Sequence, residues 1–166
     1  MATVPRYFPA PEPEWRPLRD SDVAYIAALE AQIHAAPWTS GNFRDALAAG
    51  YSATVGEREG RIVAYGVLML APGEAQILNL SVVPDSRRQG LGRELLRRFI
   101  DDARRLGAEQ IFLEVRVSNV GAIALYAAEG FAPVGRRENY YPALQGGAIR
   151  EDALVMRRPV LVPPSA

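Results

Sequence analysis

A short cationic segment rich in glycine, Arg87–Gly92, leads directly into a stretch with the periodicity of an amphipathic helix. Glycine lets a backbone come close to a phosphate, and the first N–H groups of a helix point toward an anion with the helix dipole behind them. The segment therefore predicts a diphosphate site. The alternative is a glycine-containing turn whose arginines serve solubility. The residues assigned to the site are Arg88, Gln89, Gly90, Leu91, Gly92 and Arg93.

Two common phosphate-binding loops do not fit this segment. A dinucleotide-binding loop requires a third glycine at the position where this chain has Leu95. The loop of nucleotide triphosphatases requires a Gly-Lys-Ser or Gly-Lys-Thr run, which does not follow Gly92. What remains is a diphosphate held by backbone N–H groups and flanking cations, as coenzyme A requires.

Glu114 interrupts the apolar run Ile111–Val115, which is typical of a buried strand. A carboxylate in such a strand is costly unless it is paired or hydrogen-bonded. A partly buried carboxylate is suited to act as a general base. The alternatives are that this end of the strand is exposed, or that Arg116 or another arginine neutralises the charge.

Asn119 and Tyr126 are seven residues apart, which places them two turns apart on one face of a predicted helix. Tyr126 would then lie along the groove that Asn119 opens. The alternative is that Tyr126 is a core aromatic residue between Leu125 and Phe131.

The composition restricts the classes of function. The 166 residues are 49% hydrophobic, which fits a single domain with a sizeable core. Nineteen Lys and Arg balance nineteen Asp and Glu, so no direct nucleic-acid partner is predicted. The sequence has no cysteine and one histidine, so no metal site is expected, and the absence of cysteine suits a cytoplasmic location. No apolar run approaches the roughly 18 residues of a membrane span, so no membrane partner is expected.

The periodicity predicts the order β-α-α-β-β-β-α-β-α-β-β. A strand, helix and strand in the middle imply one parallel pair, and the tight turns before them imply antiparallel pairing. We expect a Pro-rich N-terminal arm over residues 1–13, a single domain over residues 14–160 and a tail over residues 161–166. The predicted strands are Trp15–Leu18, Tyr51–Gly56, Ile62–Leu70, Glu74–Val83, Gln110–Arg116, Ala132–Tyr140 and Leu154–Arg158, and the predicted helices are Asp20–Ala35, Thr39–Leu47, Leu91–Leu106 and Ser118–Glu129.

These features occur in the order found in acetyl-CoA-dependent N-acetyltransferases of the GNAT family, which the chain resembles over roughly residues 15–158. The segment Arg88–Gly92 fits that family's Arg/Gln-x-x-Gly-x-Gly/Ala loop. The segments Arg136–Pro142 and Arg150–Met156 resemble the branch that acetylates α-amines, and in particular the bacterial ribosomal-protein-alanine N-acetyltransferases. The resemblance implies the α/β GNAT fold: a mixed, mostly antiparallel sheet of about seven strands with a central parallel pair, flanked by about four helices.

The resemblance also implies roles for individual residues. Leu80, Ser81 and Val82 match the strand that binds the acetyl-pantetheine arm, and Asn119 matches a coenzyme-binding amide. Glu114 matches the general base and Tyr126 the general acid. Tyr140 and Tyr141 match positions that shape the entrance for a peptide N-terminus.

Two further residues remain open. Trp38 is assigned to the wall of the peptide channel, and the alternative is a core anchor. His34 is a candidate for proton removal, and the alternative is a surface histidine at a helix end.

The implied activity is transfer of acetyl from acetyl-CoA to the N-terminal alanine of a protein, in particular a small-subunit ribosomal protein. The alternatives are acetylation of Lys side chains or small amines, and a non-catalytic module that binds coenzyme A.

Overall fold

The computed structural model describes residues 8–144 and 147–160. Residues 1–7 of the predicted arm, the predicted tail 161–166, and residues 145 and 146 of the loop before the last strand lie outside the described residues. The strands are β1 Glu14–Pro17, β2 Ser52–Arg58, β3 Arg61–Ala71, β4 Glu74–Val82, β5 Gln110–Arg116, β6 Ala132–Tyr141 and β7 Glu151–Pro159. The helices are α1 Val23–Ile33, α2 Ser40–Ala48, α3 Leu91–Arg105 and α4 Val120–Ala128, with short 3₁₀ turns at Asp20–Asp22 and Pro84–Ser86.

The seven strands form one sheet in the order β1-β2-β3-β4-β5-β7-β6. Every pair is antiparallel except β4 with β5, which are joined through α3. The predicted order of elements, the central parallel pair and the α/β GNAT fold are confirmed. One consequence was not apparent from the sequence: β7 lies between β5 and β6, so the last hairpin reaches the sheet through its second strand.

The parallel pair is short, and it determines where the site lies. β4 and β5 pair only from Glu74 opposite Gln110 to Ile77 opposite Leu113. Beyond that point β4 continues along β3, with an irregularity that leaves Leu78 without a partner. An extra residue in one strand bends it. The two strands therefore splay apart, and their free edges face a gap.

Helices cover the sheet through two large core clusters. One contains Leu95, Phe99 and Ile100 of α3, together with Ile111 and Leu113 of β5. The other brings residues of α1 and α2 against alternate residues of β2 and β3; it includes Val23, Ile26, Phe43, Val55, Tyr65 and Val67. β3 contributes to both clusters, because successive side chains of a strand point to opposite faces: Leu68 belongs to the first cluster, and Tyr65 and Val67 belong to the second. The diverging ends of β4 and β5 are consequently held by a sheet that is packed against helices.

The predicted apolar stripe of α3 is confirmed except at its last residue. Residues from Leu91 to Ala103 are buried at helical spacing, but Leu106 is 58% exposed. The helix ends at Arg105, and Gly107 adopts φ +83°, which turns the chain away after Leu106.

The buried face of α1 also differs from the expectation. Val23, Ile26, Leu29 and Ile33 recur at helical spacing and predict an apolar face, but the fully buried residues are Val23, Ile26 and Glu30. A carboxylate therefore occupies the core position of this helix.

Candidate active site

Two cavities meet in the gap between β4 and β5. The larger, about 730 Å³, lies beside the start of α3. The smaller, about 210 Å³, lies between the loop after α1 and the end of β5. The residues that line both are His34, Leu80, Ser81, Asn119 and Tyr126. A molecule lying in one cavity can therefore meet a molecule lying in the other at these side chains.

The larger cavity ends at the predicted diphosphate loop. Arg88 (φ +61°) and Gly90 (φ +79°) both adopt left-handed backbone conformations, which turn the chain sharply into α3. The first N–H groups of a helix have no intrahelical acceptor, so those of Leu91, Gly92 and Arg93 are available to an anion. All three residues line the cavity.

The side chains of the loop are not equally available. Arg88 makes no ion pair with any residue that the structure describes. Arg93 is 3.0 Å from Glu129 (Nε to Oε1), and the Gln89 side chain accepts a hydrogen bond from Arg58 Nη1 at 2.6 Å. The geometry therefore supports anion binding by Arg88 and by the backbone of the loop more than by the side chains of Gln89 and Arg93.

The residues Leu78–Val82, here called the β4 wall, form one side of the gap. Leu80 and Val82 are half-buried and line the larger cavity, whereas Ser81 is buried. β3 pairs with one edge of these residues, up to Val82 opposite Ala64. The other edge has no pairing with β5, so its backbone groups are available to a ligand.

The residues Glu114–Arg116, here called the β5 wall, form the opposite side. The Glu114 side chain is 13% exposed and lies 2.9 Å from Arg137 (Oε1 to Nε). The neutralising arginine is therefore Arg137 of β6. Arg116 instead lies 3.1 Å from Glu151 (Nη1 to Oε2) and donates to the Pro142 carbonyl.

Asn119 and Tyr126 lie together, as their spacing predicts. The Asn119 side-chain oxygen accepts from Ala122 N–H at 3.2 Å and caps α4, which leaves the amide N–H groups free for a ligand. The Tyr126 hydroxyl makes no hydrogen bond to any described residue, and burial raises the pKa of this phenol to about 12. Tyr126 is therefore protonated at neutral pH and can donate a proton into the gap.

Aromatic residues surround the smaller cavity. Trp38 lines it and also packs on Phe43 with ring centroids 5.2 Å apart, so it is both a wall and a core anchor. Tyr141 lines it as well, beneath the Arg116 guanidinium at 4.5 Å from the ring centroid. Tyr140 lines neither cavity, but a hydrogen bond to Glu114 together with burial raises its pKa.

A bulge in β6 positions the two tyrosines. Three residues, Glu138 to Tyr140, occupy the space opposite Asp152 in β7. Asn139 adopts φ +51° there and donates its N–H to Asp152 Oδ1 at 2.8 Å, while Arg136 Nε donates to Oδ2 at 2.6 Å. The Asp152 carboxylate therefore fixes the turn that brings Tyr140 and Tyr141 to the site.

Sequence reasoning missed a buried polar network behind the β4 wall. Glu30 is only 2% exposed, and it accepts hydrogen bonds from the Tyr65 hydroxyl at 2.5 Å and the Asn79 amide at 3.1 Å. The network reaches the gap through Ser81 and His34. The signal available in the sequence was a glutamate seven residues after Val23 and four after Ile26, which is the spacing of one helix face.

Within the described residues, no group of three or more His, Cys, Asp and Glu side chains is arranged to hold a metal ion. None of the helices described is both long enough and apolar enough to cross a bilayer.

The mixed seven-stranded sheet, splayed between β4 and β5 beside a glycine-rich helix start, defines the fold class of the GNAT N-acetyltransferases. The family model described as acetyltransferase (GNAT) family matches residues 13–131, and the chain belongs to this family.

Individual relatives agree with this assignment. The chain is 37% identical over 143 residues to the ribosomal protein bS18-alanine N-acetyltransferase of Escherichia coli K12, covering 86% of this chain and 95% of the relative. The crystal structure of the S18-alanine enzyme from Escherichia coli superposes with a TM-score of 0.83 at 34% identity, covering 93% of this chain and 98% of the other. A GNAT acetyltransferase from Elizabethkingia anophelis, solved with acetyl-CoA bound, shares the fold with a TM-score of 0.74 at 18% identity, covering 89% of this chain and 98% of the other.

Proposed function

We propose that this chain is a cytoplasmic, acetyl-CoA-dependent N-alpha-acetyltransferase that acetylates the N-terminal alanine of a small-subunit ribosomal protein. The observation that carries the proposal is the meeting of two separate cavities at Tyr126 and Ser81. A transferase with two substrates needs this arrangement, because each substrate must reach the reacting atoms from its own side. The 37% identity to the bS18-alanine enzyme over most of both chains supports the choice of acceptor.

Acetyl-CoA would occupy the larger cavity. Its diphosphate would lie at the start of α3, against the backbone N–H groups of the loop and the Arg88 guanidinium. The acetyl-pantetheine arm would extend along the free edge of Leu80, Ser81 and Val82, with the Asn119 amide beside it. A backbone N–H of the β4 wall would then polarise the thioester carbonyl, which needs a donor where negative charge develops.

The peptide would enter through the smaller cavity. Trp38 and Tyr141 line it, and Tyr140 is hydrogen-bonded to Glu114 of the same cavity, so these aromatic residues would shape the channel. The volume of about 210 Å³ can admit the first residue of an extended chain, which would bring its α-amine to the gap.

The chemistry requires proton transfers on both sides of the new bond. The amine nitrogen attacks the thioester carbon, Glu114 accepts a proton from that nitrogen, and the carbon–sulfur bond breaks. Tyr126 then donates its phenolic proton to the departing thiolate, a role that fits its raised pKa. The protein supplies position, charge stabilisation and proton transfer.

The test is mass spectrometry of peptides incubated with acetyl-CoA and the enzyme. The set contains peptides beginning with free Ala, Ser, Met or Gly, and one peptide with a blocked N-terminus and an internal Lys. Acetyl on the α-amine of the Ala peptide supports the proposal. Acetyl on Lys alone would replace it with side-chain acetylation, and coenzyme binding without transfer to any peptide would indicate a non-catalytic module.

A further inference from the structure

His34, the only histidine in the sequence, lies where the two cavities meet. It follows the last residue of α1, and its side chain is 39% exposed. Its Nε2 atom is 2.7 Å from the Ser81 hydroxyl and 3.6 Å from the Glu30 carboxylate. His34 therefore lies next to Ser81 of the β4 wall, at the junction of the two cavities.

The buried network fixes the direction of each hydrogen bond that reaches His34. The Asn79 amide nitrogen donates to Glu30 at 3.1 Å, so the Asn79 side-chain oxygen faces Ser81. The Ser81 hydroxyl then donates its single proton to that oxygen at 2.9 Å. The Ser81 oxygen is left to accept from His34.

This direction determines the tautomer of the histidine. Because Ser81 accepts, His34 must carry its proton on Nε2, and the lone pair of the neutral ring lies on Nδ1. Glu30 remains close enough to stabilise the ring when it becomes an imidazolium. The Tyr65 hydroxyl also donates to Glu30, and burial together with this bond raises the pKa of the Tyr65 phenol.

The reaction has one proton more than the proposed function has so far assigned. An α-ammonium carries three protons and the amide product carries one, so two protons must leave the nitrogen. The first leaves an ammonium with a pKa of about 7.7–8.0, and a neutral imidazole has a free lone pair that can accept it. The second proton leaves the positively charged nitrogen of the tetrahedral intermediate formed by attack. This nitrogen is far more acidic than the free ammonium, so a carboxylate is a strong enough base to accept its proton.

On the basis of the proposed function, we infer that His34 is a second catalytic base, which accepts the ammonium proton on Nδ1, and that Glu30 is its positioning residue. The freed amine attacks the thioester carbon, Glu114 accepts the second proton, and Tyr126 gives its proton to the thiolate as the carbon–sulfur bond breaks. The imidazolium returns its proton to solvent through its exposed side, and the proton on Glu114 restores the Tyr126 phenol by way of solvent. One proton is released for each acetyl transferred.

The charged groups around His34 favour the neutral ring that this role requires. Burial lowers the pKa of His34 most. Glu30 of α1 opposes that shift, while Arg87, in the loop before α3, and Arg116 of β5 add to it. The net direction is downward, so the ring is mostly neutral at neutral pH.

The first test is a long-range ¹H–¹⁵N correlation spectrum of the full chain, prepared without a histidine tag. Because the sequence has one histidine, the ring signals belong to His34 without assignment. We expect Nε2 protonated and Nδ1 bare at neutral pH. In the Glu30→Gln variant the Asn79 amide can rotate by half a turn and present its nitrogen to Ser81. Ser81 could then donate to His34, so we expect loss of the Nε2–H tautomer. Nδ1 protonation in the wild-type chain at neutral pH would overturn the inference.

The second test is kcat/KM against pH with an Ala-starting peptide for His34→Gln, whose amide can still donate to Ser81. An amine of pKa near 8 is about one-tenth neutral at pH 7 and almost wholly neutral at about pH 9.5. We therefore expect a loss of about tenfold at pH 7 that shrinks to under about twofold at pH 9.5. The dissociation constant for acetyl-CoA should not change. Equal losses at every pH, or no loss at pH 7, would overturn the inference.

Glu57→Gln is the matched control for Glu30→Gln, because it makes the same change of residue type at a glutamate that pairs with Arg16. Glu57 is partly exposed and lines neither cavity. It should leave both the pH profile and the tautomer unchanged. The wild-type peptide assay distinguishes failure of the proposed function from failure of the role inferred for His34. If the wild-type chain acetylates no α-amine, the proposed function fails; if it does so and His34→Gln follows the same pH profile, only the role of His34 fails.

Discussion

The two walls of the gap hold their polar groups in different ways. Behind the β4 wall, Glu30 is fully buried and accepts hydrogen bonds from Tyr65 of β3, Asn79 of β4 and the Trp38 backbone N–H. At the β5 wall, Glu114 is held by Arg137, whose side chain is 59% exposed on the edge strand β6. The first arrangement is part of the core, and the second belongs to the surface hairpin.

Under the proposed function, this difference suits the two walls to different substrates. A thioester must lie at fixed donors for its carbonyl to be polarised, and a core-anchored strand supplies them. A protein N-terminus arrives with a variable sequence, and exposed side chains of a hairpin can adjust to it. The five predictions below test this division, from the largest expected effect to the smallest.

Tyr126→Phe should lower kcat by about 10²–10³-fold, because the thiolate would leave without its proton donor. The dissociation constant for acetyl-CoA should change little, since the ring still fills its place against Phe131. Steady-state kinetics and a coenzyme-binding titration measure the two quantities. Unchanged turnover would remove Tyr126 from the mechanism.

Glu114→Gln should lower kcat/KM by about 10²-fold at neutral pH and by a similar factor at high pH. The reason is that the second proton leaves only after attack, when the pH no longer decides whether the amine is free. The measurement is the same pH series used for His34→Gln. A loss that shrinks at high pH would instead show that Glu114 accepts the ammonium proton, which is the role inferred for His34.

Gly66→Ala should lower the free energy of unfolding by about 3 kcal/mol. A Cβ at Gly66 would come within 2.6 Å of the Asn79 carbonyl and 2.8 Å of the Phe99 ring, so the β4 wall would have to shift. Urea denaturation measures the loss.

Gly92→Ala is the matched comparison. Its Cβ would make only ordinary contacts, 3.6 Å from Val82 and from Leu125, in the larger cavity. It should leave folding intact and weaken acetyl-CoA binding. Loss of stability in both variants, or in neither, would contradict the distinction between a core wall and a ligand-facing loop.

Tyr65→Phe should cost about 1.5–3 kcal/mol of stability, because it removes a buried hydrogen bond to a charged group. Arg137→Gln should cost under about 1 kcal/mol, since an exposed ion pair contributes little. Urea denaturation with unchanged m-values compares them. Equal costs would show that the two walls are held alike.

Glu151→Gln should have the smallest effect, and that effect should depend on pH. Hydrogen bonds from Ser118 and the nearby Arg116 hold the pKa of Glu151 below its ordinary value. A lowered folded-state pKa stabilises the protein above the unfolded value and ceases to do so as the pH falls through the folded value. The variant should therefore be slightly less stable at pH 7 and equal to the wild type in acid. A difference that persists in acid would mean that Glu151 acts through packing.

Much of the fold follows from local patterns. The apolar stripe of α3, the Gly107 stop and the alternation along β5 are read directly, because each reports a period set by backbone geometry. The burial of Glu30 in α1 does not, since its partners Tyr65 and Asn79 are 35 and 49 residues away. A glutamate on an apolar face predicts a partner but not which one.

The candidate site divides in the same way. The residue types of the loop Arg88–Arg93 and the spacing of Asn119 and Tyr126 gave the anion site and the shared helix face. The pairing of Glu114 with Arg137 in place of Arg116 depends on β7 lying between β5 and β6, which brings Arg137 across the sheet. Strand order is a property of the whole chain and leaves no local signal.

The sequence by itself determined the elements, their order and the glycine-rich start of α3, because these depend on local propensity, spacing and glycine positions. The tertiary structure alone decided where β4 and β5 separate, which arginine meets Glu114, and that His34 lies beside Ser81 and the buried Glu30. Those outcomes depend on distances between residues far apart in the chain, and such distances are fixed only when the packed core closes.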